Sequence, residues 1–448
     1  MSDSSANDGQ QNTAEPEKRE EEPKPVTFSW GIVMVRTKKL LNFLDDLARY
    51  RIFSDLGWVY IAITVAAGGF MIWLMLDETY LVLNSSLAVR CLIGAAPVAQ
   101  CHANNYTSVP APSLTAYLLL PGINPYIPIA YGIIGIVVAV VVHEGTHGVL
   151  ARRLKLPVKS TGLLFFLIVP IGAFVEIDEK IIQKTRARDS GRVMAGGPGS
   201  NVIVAAIALI LLVLLLGGLV PRYNGVLVAS VYSPSPANTL HEQGHLQAGD
   251  FIEAVNGTQV ISDQTLASFM ASTKPNETLR LTIDHQGQLN NYTIILGANP
   301  DNTSIGFIGV SVSNENLSAI KDNYASAYRT DPFLYLLVPG IVSEAETLVP
   351  FSATLHSYYS SPILGAAWDP VALTLFWIFF ININLAFFNA IPLYPLDGGQ
   401  AIYNWFSHFG RKWVEVRAKL LTTLCSVLML LLILTFLFLP RILALIPY

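Results

Sequence analysis

Residues 126–150 read YIPIAYGIIGIVVAVVVHEGTHGVL. From Tyr126 to Val142 nothing is charged, and then His143, Glu144 and His147 fall within five positions. About 20 apolar residues cross a bilayer as a helix, so the stretch predicts a membrane span with an ionisable cluster at its end. Helical residues four apart lie one above the other, which lets His143 and His147 offer two imidazoles to one metal ion while Glu144 points alongside. The string HExxH is the zincin signature. Its plainer reading is a pair of satisfied helix-end histidines near the interface. Ionisable side chains at membrane depth are costly, however, and are by default functional.

Four further spans surround this one: Gly57 to Leu76, Asn201 to Val220, Val371 to Phe388 and Leu420 to Leu439. The whole chain agrees, with 448 residues of which 52% are hydrophobic and 13% charged, against about a quarter charged in a soluble domain. Its mean hydropathy is +0.47. The predicted fold class is therefore an α-helical integral membrane protein of about five transmembrane helices. A shorter run, Leu163 to Val175, contains Pro170 and Gly172 and is too short to cross, so it predicts a re-entrant segment or membrane-embedded hairpin. Residues 1–25 are polar and Glu-rich, reading as a disordered tail rather than a signal peptide.

Basic residues set the orientation. With the N-terminus in the cytoplasm, only Arg90, Arg222, Lys274, Arg280, Lys321, Arg329 and Arg441 of the 28 Lys and Arg residues lie outside. The N-x-[ST] sites at Asn84, Asn105, Asn256, Asn276, Asn291, Asn302 and Asn316 fall outside as well, as polar loops favour. A net charge of -4, without a basic block on an amphipathic helix, removes the electrostatic case for nucleic acid. Three cysteines exclude a disulfide-dense scaffold and a cysteine-built zinc cluster, but Cys91 and Cys101 can pair if that loop faces an oxidising compartment. Cys425, inside an apolar run, reads as inert.

A zinc hydrolase needs three protein ligands and an open position for water. One region supplies an acid beside another span: residues 389–399, NAIPLYPLDGG. Asp397 there completes a His, His, Asp set, since the second and fourth spans run in the same direction and carry their polar motifs toward the same end. Pro392 and Pro395 break regular helix, and Gly398 and Gly399 permit close backbone approach, both tolerable at membrane depth only around a polar cavity. Taken alone, Asp397 equally fits a helix cap at an aqueous turn.

HEGTH at the end of one span, together with NAIPLYPLDGG after a later one, resembles the site-2 protease family of intramembrane zinc metalloproteases, in its archaeal and bacterial form with a PDZ domain. The resemblance implies Zn2+ held by His143, His147 and Asp397, Glu144 as acid and base, and Asn389, which opens the family's NxxPxxxLDG motif, as a substrate-binding donor. Ala195 to Asn201, AGGPGSN, is similar to the family's Gly/Pro-Asn element and implies a substrate-facing Asn201; its bland reading is a cytoplasmic turn with an Asn cap. Between the third and fourth spans, Gly225 to about Val312 alternates apolar and polar residues with turn signals at Ala248-Gly249-Asp250 and Asn256-Gly257, which reads as a β-rich domain. Ser235-Pro236-Ala237, Leu246 to Ile252 and Val255-Asn256-Gly257 look like a PDZ module, which captures peptides by strand addition; a purely structural insert is the alternative.

The expected organisation is thus a tail (1–25), an N-terminal span and outer loop (26–125), a first membrane-core part (126–223), the PDZ-like domain (224–313), an outer connecting segment (314–368) and a second core part with the last span (369–448). The expected function is hydrolysis of peptide bonds in or near transmembrane segments of membrane proteins, with the PDZ-like domain outside gating access. The short loops and compact PDZ form point to a prokaryotic cell membrane. A zinc transporter or a non-catalytic membrane chaperone is the competing class. A transporter should show paired halves with binding residues in both, which this chain lacks, and a binding-only protein has no use for Glu144 between the histidines.

Overall fold

The computed structural model describes residues 25–29, 32–92, 95–104, 115, 120–124, 127–166, 169–285, 287–330, 355–407 and 414–446. The tail expected at 1–25 lies, but for Pro25, outside the described residues. The chain opens on β1 (Val26–Ser29) and β2 (Ile32–Thr37), an antiparallel pair rich in β-branched residues. α1 (Leu41–Ala48) leads into the first long helix, α2 (Ile52–Asn84). Two short helices, α3 (Leu87–Leu92) and α4 (Val98–Ala103), are tied by a disulfide between the buried Cys91 and Cys101.

α5 (Ile129–Arg153) carries HEGTH in its second half and stops before Lys155, which takes a left-handed backbone with φ 60°. The segment expected to re-enter the membrane is an antiparallel hairpin of β3 (Val158–Phe166) and β4 (Val169–Ile177), with Leu163 opposite Ala173. β2 covers the far edge of β3, giving the order β1-β2-β3-β4. β4 is therefore an outermost strand, and it packs beside α5. Arg36 ties the added strands in, donating to Thr27 Oγ1 at 3.0 Å and lying 3.8 Å from Glu176.

A short helix, α6 (Glu179–Lys184), precedes α7 (Ala187–Gly217). This helix begins well before Asn201, where the apolar run suggested a start. Ala195 to Asn201 are interior to it and buried, so Asn201 is not a helix cap and the segment is not a turn. Small residues take that place because they let helices approach closely within a membrane. At Gly196 an added Cβ would lie 2.5 Å from Leu150 Cδ1, and at Gly199 2.8 Å from Tyr60 Cα.

Beyond β5 (Val220–Pro221) the β-rich unit comprises β6 (Val226–Val231), α8 (Pro236–Glu242), β7 (Phe251–Val255), β8 (Thr258–Gln259), α9 (Asp263–Met270), β9 (Thr278–His285), β10 (Gln288–Ile295), β11 (Gly297–Ala298), β12 (Gly306–Phe307) and β13 (Val310–Val312). Its main sheet runs β10-β9-β7-β6-β13 over a core that includes Val228, Leu246, Ile252, Leu281 and Ile283. Ser235 and Ser262 cap α8 and α9, the latter in a reciprocal box with Thr265 that satisfies otherwise orphaned N–H groups.

α10 (Leu317–Thr330) and β14 (Tyr359–Ser360) connect the unit to the membrane helices, β14 pairing with β5. Tyr223 stacks on Phe251 at 5.1 Å, and Tyr358 meets the same ring edge-on at 5.0 Å while its hydroxyl donates to the Gly249 carbonyl. Burial pushes the Tyr358 phenol up from its ordinary value, and the charges of Asp250 and Tyr223 add to the shift, so it remains a neutral donor.

The chain closes with α11 (Trp368–Ala390), α12 (Asp397–Ser407) and α13 (Val414–Leu445). Among the described residues five helices are long and apolar enough to cross a membrane: Asp55–Asn84, Ile129–Arg153, Ala187–Gly217, Trp368–Ala390 and Val416–Leu445. These are the five expected spans with shifted ends, α7 starting at Ala187 and stopping at Gly217, short of Val220. α5, α7 and α11 pack around Ala139, Ala205, Leu212, Ala372, Phe376 and Trp377, all 0–1% exposed. α13 stands at the margin, against α2 and α12.

Candidate metal centre

The helical spacing of His143 and His147 puts their rings 4.8 Å apart and edge-to-face, each residue only 6% exposed. α11 ends at Ala390, and residues 391–396 fold back so that α12 opens on Asp397. That return needs glycine: a Cβ on Gly398 would sit 2.4 Å from the Ala390 carbonyl oxygen, and one on Gly399 2.4 Å from Leu393 C. The result brings Asp397 Oδ2 to 2.9 Å from His143 Nε2 and 3.2 Å from His147 Nε2. One ligand atom from each of the three lies within 4.8 Å of the others.

Donor chemistry shows that this set fits a cation. His147 Nδ1 is 2.6 Å from the Val193 carbonyl oxygen, which only accepts, so Nδ1 carries a proton. In the neutral ring Nε2 then presents its lone pair, facing a carboxylate oxygen, and a positive centre between them resolves the clash of acceptors. A carbonyl that fixes the tautomer in this way is the usual outer partner of a metal-ligating histidine. His143 Nδ1 is buried and has no partner among the described residues.

Glu144 borders the same pocket, a cavity of about 220 Å³ that also meets His147, Asp397, Val175, Tyr394 and Tyr403. Its Oε2 accepts from the backbone N–H of Val175 on β4 at 3.1 Å, leaving the other carboxylate oxygen for chemistry. The sequence did not reveal Val175, the Val193 carbonyl or Gly197. A Cβ on Gly197 would lie 2.4 Å from His147 Nε2 and 2.5 Å from His143 Nε2, so only glycine fits against the Nε2 edges of the two imidazoles. The run AGGPGSN was the available signal for it.

Two expected residues stand apart from the pocket wall. Asn389 is half-buried and donates through Nδ2 to the Leu385 carbonyl one turn back, at 3.0 Å. Asn201 is 0% exposed, and neither atom of its amide has a partner among the described residues.

The chain is 24% identical over 372 residues to the uncharacterized protein MJ0971 of Methanocaldococcus jannaschii, covering 83% of this chain and 77% of that one. It is 24% identical to LL2128 of Lactococcus lactis, whose name gives it as a candidate zinc metalloprotease, over 53% of each chain. To the regulator of sigma-E protease RseP of Escherichia coli it is 27% identical, over 41% of this chain and 43% of that one. The chain thus spans about half of these two bacterial relatives. Among solved structures, the PDZ domain of the SdrC-like protein Lmo2051 from Listeria monocytogenes matches 20% of this chain and 90% of its own at 27% identity, with a TM-score of 0.18. The sequence model of peptidase family M50 matches residues 131–433, taking in both HEGTH and NAIPLYPLDGG, and the chain belongs to that family, as a membrane zinc metalloprotease.

Proposed function

We propose that the protein hydrolyses peptide bonds in or near transmembrane segments of other membrane proteins. The observation that carries this reading is a three-ligand donor set with Glu144 beside it, mounted on helices long and apolar enough to cross a membrane. His143, His147 and Asp397 would hold Zn2+, which when bound would supply Lewis acidity toward the scissile carbonyl and toward water. Glu144 takes the proton of the attacking water at Oε1, since Oε2 is engaged by Val175, and delivers it to the departing amine nitrogen.

A helical substrate hides its carbonyls in its own hydrogen bonds and must be unwound, so the protein must supply partners for its backbone. β4, outermost in its sheet and bordering the pocket through Val175 and Ile177, is suited to pair with an extended segment. Asn389 and Asn201 serve as further donors once the Asn389 amide leaves the Leu385 carbonyl and an occupant meets the Asn201 amide. Measuring zinc content and cleavage of a single-span substrate tests these roles. Asp397→Ala is expected to lose both, because one ligand of three is gone. Asn389→Ala should keep zinc and lose about tenfold to a thousandfold in rate, the range for one transition-state donor. Full zinc occupancy in Asp397→Ala, or normal turnover in Asn389→Ala, would remove the residue from its role.

The orientation we infer has the N-terminus in the cytoplasm and the PDZ-like unit outside, in the cell membrane of a prokaryote. Lys/Arg asymmetry supports it, as does the disulfide between Cys91 and Cys101 in a segment placed outside. Cysteines introduced near Asn276 should label from outside in intact cells and one at Arg186 should not; labelling at 186 overturns the map. The PDZ-like unit gates access by pairing a peptide with β13, which with β10 is one of the two outermost strands of its sheet. A peptide that binds there should change the cleavage rate, and binding without any change would leave the unit structural.

A further inference from the structure

β4 meets the pocket with one of its two faces. Val175 and Ile177 line the cavity, and because side chains alternate along a strand, Glu176 between them points to the opposite face of the sheet. There it stands directly across from Ser160, whose hydroxyl donates to Glu176 Oε2 at 2.6 Å. Two residues along each strand Gly162 stands across from Phe174, and on the next strand Arg36 stands across from Gly162. Phe174 lies over the glycine: a Cβ added to Gly162 would fall 2.4 Å from Phe174 Cζ, the kind of close approach that a glycine inside a strand permits. The Arg36 guanidinium sits over the Phe174 ring, 5.8 Å from its centroid, with Nε 3.8 Å from Glu176 Oε2 and Nη1 donating to Thr27 Oγ1 at 3.0 Å. From β2 a single side chain thus reaches β1 at Thr27 and, across the bare Gly162 of β3, Phe174 and Glu176 on β4.

We propose, on the reading of β4 as the strand that pairs with substrate, that Arg36 and Glu176 are positioning residues: their clasp holds β4 at the pitch to which an extended substrate segment adds. An outermost strand has a neighbour on one side only, so any order it lacks before binding is subtracted from the affinity for the segment it receives. The backbone ladder to β3 is itself irregular, with register shifts between Val158 and Ser160 and between Leu164 and Phe165. The clasp spans the stretch between those two shifts. Glu176 is flanked by the two residues that meet the pocket, so a displacement there carries Val175 and Ile177 with it. A substrate strand, once paired, fixes β4 from its open side, and the clasp therefore acts on binding rather than on turnover.

Binding and turnover are measured separately in the full zinc-loaded chain. The probe is a fluorescein-labelled single-span peptide rich in Leu and Ala, with a central Gly-Gly pair that loosens its helix. Its Kd is read in the Glu144→Gln background, which leaves the peptide uncut, and kcat is read at saturating peptide with Glu144 in place. Arg36→Ala and Glu176→Ala are each expected to raise Kd about fivefold to tenfold, the size of a cross-strand charge pair together with a cation over a ring. Zinc content should not change, and kcat should stay within about twofold. Because the two residues act as one clasp, the double variant should lose no more than the larger single loss. Arg36→Lys keeps a point charge beside Glu176 and should stay within about twofold of the parent in Kd, a rescue that a loss of general stability would not give. Unchanged Kd in the folded single variants overturns the proposal while cleavage by the parent leaves the reading beneath it standing. Losses that multiply in the double variant, or a kcat that falls in step with Kd, overturn it as well. No cleavage of the peptide by the parent chain would strike the reading itself and the clasp with it.

Discussion

Glu144→Gln is expected to retain one zinc per chain and to lose cleavage by about a hundredfold to ten-thousandfold, the usual contribution of a positioned acid and base. The two halves of this result separate because Glu144 is not among the three groups whose ligand atoms converge. The amide of Gln is nearly isosteric and keeps a carbonyl oxygen that can accept from Val175 N–H, so β4 should stay docked on α5. What it cannot do is take a proton from water and return it to the leaving nitrogen. Zinc is measured by atomic absorption and cleavage with a purified single-span substrate. Turnover within a few-fold of the wild type would end the acid and base role of Glu144. Loss of zinc together with activity would show that its carboxylate helps to hold the ion.

The same comparison separates the two classes of function that the sequence left open. A transporter or a binding-only protein would show zinc-dependent behaviour that Glu144→Gln leaves intact. A hydrolase loses its activity with the ion still in place.

Much of this site was legible in the chain because its geometry is local. His143 and His147 are four apart on one helix, and no packing detail is needed to make them converge. Asp397 was legible through the company it keeps: prolines and glycines beside an apolar span are tolerated only where backbone lines a cavity. The four-stranded sheet was half legible. Leu163 to Val175 was too short to cross a membrane, which marked the hairpin, but Ile32-Val33-Met34-Val35 lay undistinguished within the N-terminal part at 26–125, although its β-branched run is a strand signal. The bland reading of Asn201, a turn with an Asn cap, was a soluble-protein rule set beside the substrate-facing role that the resemblance implies. In water, Gly-Gly-Pro-Gly followed by Asn announces a turn and a cap, whereas in a membrane helix the same small residues mark where another helix comes close. Asn389 shows the limit of motif reading, since the motif implies a substrate-facing donor whereas its amide is turned to its own helix. Which glycine of the run meets which side chain depends on the rotation of α7 against α5, and no spacing in the sequence encodes that.

Gly197→Ala should therefore cost the protein its metal while leaving the fold in place. The added methyl carbon would fall 2.4 Å from His147 Nε2, 2.5 Å from His143 Nε2 and 2.7 Å from His143 Cδ2, so both imidazoles or the helix must move. The helix has little room: Gly196 is against Leu150 and Gly199 against the backbone of Tyr60. His147 is held from behind by the Val193 carbonyl, one turn earlier on the same α7. The rings must yield by several tenths of an ångström, and ligand distances in a zinc site tolerate only about 0.2 Å. Zinc affinity is expected to fall by about a hundredfold or more, at the upper end of what disturbing ligand orientation costs, with cleavage lost in proportion. The comparison is Gly145→Ala, inside HEGTH itself, where a Cβ would meet nothing within 4 Å and alanine favours the helix. That variant should bind zinc and cleave like the wild type. A competitive chelator titration on both proteins decides the matter: equal affinities would mean that α7 does not press on the imidazoles, and loss in Gly145→Ala alone would place the ligand contacts on the opposite side of α5.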